Sequence, residues 1–163
     1  MSDMAAVNQT VDQTLGDIHD AMQLLTELPQ PDLGETLEDL HRRLLVTRAA
    51  QSRVSELVGF LVRLHRGVRN LLLDAQGELE TASAAVVQRP TFGHQNFASA
   101  DERKANLAAY TLTERRKVRQ MEKLLNDADA ALEYGNNRFW ELNRGVRDIE
   151  LRMSLILKEP NYG

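Results

Sequence analysis

Between Asp101 and Leu157, apolar or small residues recur at Leu107, Thr111, Val118, Met121, Leu125, Ala128, Leu132, Gly135, Phe139, Leu142, Val146, Ile149, Met153 and Ile156. The steps alternate between three and four, and only one slot, Glu114, is charged. A 3.5-residue repeat lays one apolar stripe along a helix and requires a second helix to cover it. A helix over this stretch is about 85 Å long at ~1.5 Å per residue.

The same period occurs twice upstream. Met4, Val7, Val11, Ile18, Leu25 and Leu28 form one seam, with Thr14 and Ala21 in its remaining slots. Pro29-Gln30-Pro31 ends that helix, because a proline removes a backbone donor and clashes with the preceding turn. Asp32 is an N-cap candidate for a second helix. The seam of that helix is Leu33, Leu37, Leu40, Leu44, Thr47, Gln51, Val54, Val58, Leu61, His65, Val68, Leu72, Ala75, Leu79, Ala82 and Val86. Thr47, Gln51 and His65 are polar residues of the kind that fix register in a helical seam. Gly59, Gly67 and Gly77 weaken the helix by about 1 kcal/mol each relative to alanine.

Residues 88–100 break the pattern with Pro90 and Gly93. Ser99 and Glu102 have capping-box spacing at the start of the last helix. Gly135-Asn136-Asn137 is the expected kink within it. The expectation is an all-α fold: a long antiparallel, coiled-coil-like helical hairpin with an additional N-terminal helix, in one oligomeric domain over 1–163. Its parts are an acidic helix and proline linker (1–31), a long helix (32–88), a loop (89–100) and a second long helix (101–158). Trp140 beside Phe139 is expected to widen the buried surface or to touch a neighbouring subunit. Leu45, Leu57, Leu64, Leu71, Leu124 and Leu157 lie beside the strict seams and are expected to serve further neighbours.

Several chemistries lack their residues. There is no cysteine, and hence no disulfide, thiol nucleophile or thiolate metal site. His19, His41, His65 and His94 are too scattered for a metal constellation. Asp127, Asp129 and Glu133 have no partner that marks an acid–base pair. Phosphate-loop, dinucleotide-loop and His-Glu-x-x-His patterns are missing. The expectation is a protein that is not an enzyme and has no cofactor. No apolar run approaches the ~18 residues of a membrane span, and the acidic N-terminus is unlike a signal peptide. A cytoplasmic location is expected.

Charge is sorted along the chain. Residues 1–40 carry nine acidic residues and no Lys or Arg. His41–Leu73 carries seven arginines against Glu56, and Arg103–Lys123 seven basic residues against Glu114 and Glu122. Folding the chain near residue 95 places residue i beside about 189 − i, which sets Arg66 near Lys123 and Arg69 near Arg119. The expected belt is Arg63, Arg66, Arg69, Arg115, Arg116, Lys117, Arg119 and Lys123. One function of such a belt is a solvated face; another is a phosphate track. The net charge of −4 opposes tight binding by a monomer, whereas an oligomer repeats the belt. Phe92 and Phe97, in the loop with His94 and Asn96, either stack on bases or pack back on the helices.

The segment from Asp101 to Leu157 resembles the C-terminal half of phage recombination mediator proteins of the UvsY type. The likeness lies in its early Glu-Arg-Lys run, its Leu/Ala-rich middle, the mid-helix pair Phe139-Trp140 and the closing amphipathic stretch to Ile149. The resemblance implies a ring-like homo-oligomer that binds single-stranded DNA. It also implies partnership with a RecA-type recombinase, loaded in place of single-strand-binding protein, in a host cytoplasm for a phage-encoded chain. Two alternatives stay open: a coiled-coil scaffold or phage assembly protein without DNA binding, and an acidic regulator that holds a basic partner through residues 1–40.

Overall fold

The computed structural model describes residues 2–26, 35–93 and 97–158. The fold is all-α, with α1 over Ser2–Thr26, α2 over Leu37–Val87, a single turn α3 over Pro90–Gly93, α4 over Ala100–Tyr110 and α5 over Leu112–Lys158. Helices α2 and α5 pack antiparallel, and α1 packs with them. The Pro29–Pro31 stop, the Asp32 cap, Leu28, Leu33 and His94 lie outside the described residues.

The chain forms two compact units, residues 1–63 with 129–163 and residues 64–128. In the first unit the three seams meet. Val11, Ile18 and Ala21 of α1, Leu40, Leu44, Val54 and Leu61 of α2, and Leu142, Val146 and Ile149 of α5 are all buried. Leu40, Leu44, Val146 and Ile149 form one cluster, with Met153 against it. Thr47 is buried with its hydroxyl donating to the Arg43 carbonyl at 2.8 Å. Gln51 Nε2 donates to Asn143 Oδ1 at 3.3 Å, so this polar seam residue does pin α2 against α5.

Helix α5 is continuous through Gly135, the expected kink position, and Gly135 is buried. A Cβ there would stand 2.9 Å from Val58 Cγ2, 3.4 Å from Ile18 Cδ1 and 3.5 Å from Leu61 Cδ1. The residue is small because α1 and α2 both press on α5 at this point. Helix α2 is likewise unbroken through Gly59, Gly67 and Gly77.

The second unit buries Val68, Ala75 and Val86 of α2 and Val118, Met121, Leu124 and Ala128 of α5. Phe92 is buried under Phe97 (5.1 Å between centroids) and Tyr110 (6.1 Å), so this loop aromatic packs inward. Ser99 caps α4 by accepting from the Glu102 amide at 3.1 Å. The Glu102 carboxylate reaches back to the Ala98 amide, one residue before the usual partner. The expected single last helix is interrupted at Thr111, whose φ and ψ are −111° and 24°. Its buried hydroxyl donates to the Leu107 carbonyl at 2.8 Å and accepts from Arg115 Nε at 3.0 Å, an alternative to straight helix that threonine can offer.

Candidate nucleic-acid interface

Seven of the eight expected belt residues lie in the second unit; Arg63 lies in the first. The second unit has ten Lys/Arg against eight Asp/Glu, and the first ten against sixteen. Pairing differs more than the totals do. In the first unit, among the described residues, six of ten cations have a carboxylate within 4.0 Å: Arg42, Arg43, Arg48, Arg53, Arg138 and Arg152. In the second unit, among the described residues, one of ten does: Lys117, at 2.5 Å from Glu78. Surface acids that could neutralise the others are present in the sequence but are placed elsewhere.

The geometry selects within the belt. Arg116, Arg119 and Lys123 step by three and four along α5 and are all exposed. Side chains at this spacing are neighbours on one face, with Cβ atoms about 5–6 Å apart. Arg66 and Arg69 are an equivalent exposed pair on α2. Arg115 is half-buried and tied to Thr111, and Lys117 is engaged with Glu78. Those two are less available than the other members.

The register differs from the expected one. Lys117 meets Glu78, so in this unit residue i lies beside about 195 − i, not 189 − i. The first unit agrees, with Gly145 at Thr47 and Asn143 at Gln51. Arg119 therefore stands roughly seven residues along the axis from the position facing Arg69, about 10 Å at ~1.5 Å per residue. Lys123 and Arg66 are offset by a similar length. The tip is asymmetric: α3 occupies the loop and Thr111 interrupts the helix after it. The cations form two offset stripes, one on each helix, instead of facing pairs.

Other candidates fall away. Among the described residues there is no cluster of three or more His, Asp or Glu able to hold a metal ion. Among them, too, no helix is long and apolar enough to cross a membrane. Leu57 and Leu124, expected to serve further neighbours, are buried, and Leu64 is half-buried. Trp140 is 57% exposed, so it adds little buried surface; its ring meets Phe139 edge-on at 5.7 Å. The exposure of residues such as Trp140 and Leu151 could not be read from period alone. No family model, no curated protein and no solved structure matches this chain.

Proposed function

We propose that the protein is a recombination mediator: a homo-oligomer that binds single-stranded DNA and assists loading of a RecA-type recombinase in place of single-strand-binding protein. The observation that carries the binding step is the stripe Arg116–Arg119–Lys123, exposed and without carboxylate partners among the described residues, with Arg66 and Arg69 on the neighbouring helix. A cation that a surface acid already neutralises gains little from a phosphate; these have no such competitor to displace. Arginine predominates, which suits both phosphate forks and stacking on unpaired bases. Contacts to phosphate carry no sequence information, so binding through this stripe is insensitive to sequence.

The loading role rests on the resemblance of residues 101–157 to the mediator family. Its chemistry asks for no bond to be made or broken by this chain. The protein holds the strand through phosphates, leaves bases available, and exchanges one DNA-bound protein for another. The test is a recombinase ATPase assay on DNA pre-coated with single-strand-binding protein. Addition of the chain should shorten the lag before ATP hydrolysis. Binding to naked DNA with an unchanged lag would limit the function to strand binding. Absence of binding even at low salt would leave the coiled-coil scaffold in its place.

A further inference from the structure

Two open surfaces, a stripe on α5 and a groove between α1 and α2, lie on the first unit. The outer face of α5 carries Trp140, Arg144, Arg147, Leu151, Leu155 and Lys158 at helical steps of three and four. Leu151 is 59% exposed and Leu155 57%. Among the described residues, Arg144, Arg147 and Lys158 have no carboxylate within 4.0 Å. An apolar stripe flanked by unneutralised cations is an unusual surface for a chain with net charge −4.

Between α1 and α2 lies an open groove of about 800 Å³. Its floor and wall are apolar, with Leu24, Val46 and Ala49; Asp17 and Asp20 stand along the α1 side, and Arg53 lines it from α2. Asp17 already meets Arg53 at 3.6 Å, but Asp20 is exposed and has no cation within 4.0 Å among the described residues. Helix α1 contains no Lys or Arg.

We infer that the Leu151–Leu155 face of α5 docks into the α1–α2 groove of a second copy. Leu151 and Leu155 lie against Leu24, Val46 and Ala49, and Arg147 or Lys158 reaches Asp20. The occupant follows from complementarity: the groove is apolar and acid-edged, the stripe apolar and base-edged. Both surfaces are open on the same chain, so neither covers the other. A head-to-tail contact leaves one of each free and therefore repeats, closing into a ring or growing. This inference deepens the homo-oligomer of the proposed function and names its interface.

The experiment uses two full-length variants. Leu151→Asp/Leu155→Asp spoils the stripe and keeps the groove; Leu24→Asp spoils the groove and keeps the stripe. All three leucines are exposed, so circular dichroism should stay unchanged. In light scattering each variant alone should fall to the monomer mass of 18.4 kDa, and an equimolar mixture should rise to about twice that value. Arg147→Glu should weaken self-association and Arg147→Glu with Asp20→Lys should restore it. Wild-type mass in the single-surface variants, or a mixture that stays monomeric, overturns the interface while leaving DNA binding by Arg116, Arg119 and Lys123 intact. A monomeric wild type that instead sediments with phosphatidylglycerol vesicles would assign the stripe to an anionic lipid surface and overturn it too.

Discussion

A methyl group at residue 135 would stand 2.9 Å from Val58 Cγ2, closer than carbon atoms settle without movement. Valine is stiff at χ1, so the neighbour cannot swing away at low cost. Gly135→Ala gains about 1 kcal/mol of helix propensity, but overpacking costs about 1–3 kcal/mol. Thermal unfolding should therefore move to lower temperature. Gly67→Ala and Gly77→Ala meet nothing within 4 Å and should raise the midpoint, by about 2–4 °C for a chain of this size. A stabilised Gly135→Ala would contradict the close packing of the three helices. Sequence pattern places Gly135 on the seam, yet the low propensity of Gly-Asn-Asn suggests a kink; the packing reason is visible only with Ile18, Val58 and Leu61 around it. Thr36 was equally hidden. Its hydroxyl accepts from the Asp39 amide at 3.2 Å, and its amide and hydroxyl donate to the Asp39 carboxylate at 3.2 and 2.6 Å. Aspartate at that cap position lacks the usual Glu/Gln signature. The hydroxyl contact, then the amide contact, hold the Asp39 carboxyl below its ordinary value of 3.8. A depressed folded-state value stabilises the fold above the unfolded value, and this is lost as pH falls through the folded one. Acid titration followed by circular dichroism should show a contribution below 3.8 that Asp39→Asn removes.

At the scale of elements, period does most of the work. Val118, Met121, Ala128, Leu142, Val146 and Ile149 are seam positions in the sequence and buried in the structure. The interruption at Thr111 has no proline or glycine to announce it, and the residue occupies a seam slot like its neighbours. The register between α2 and α5 was not legible either. Heptads specify which face is buried, but sliding by one repeat keeps the same face inward. The choice is made by particular contacts such as Gln51–Asn143 and Lys117–Glu78. The start of α4 is a local matter and was legible. Ser99→Ala should cost about 1 kcal/mol by removing the cap, and hydrogen exchange should quicken at Glu102 and Arg103 while the α2 amides stay protected. Unchanged exchange at α4 would show that the cap does not hold this helix. Deleting α1 is a poor probe of its carboxylates, because Ile18 is fully buried against the rest of its unit. Asp12→Asn changes charge and leaves both that core and the α1–α2 groove alone. This exchange should raise affinity for DNA modestly at low salt through the weaker overall repulsion.

At the scale of the whole molecule, the sequence alone places the cations off the seams but cannot tell which of them a carboxylate neutralises. The pairs Arg48–Glu150, Arg53–Asp17 and Arg152–Glu35, which have no counterpart at Arg116, Arg119 and Lys123 among the described residues, depend on how the helices are brought together. The direct measurement is the affinity of the full-length protein for a single-stranded oligonucleotide at several salt concentrations. Neutralisation of about four phosphates per site gives a slope near −3 in log K against log salt, from ~0.7 per phosphate on single strands. Arg116→Ala/Arg119→Ala/Lys123→Ala should flatten the slope by about 2 and weaken binding for every sequence alike, with helicity and oligomer mass unchanged. Wild-type affinity and slope in that triple variant would contradict the interface and leave the stripe a solvated helix face.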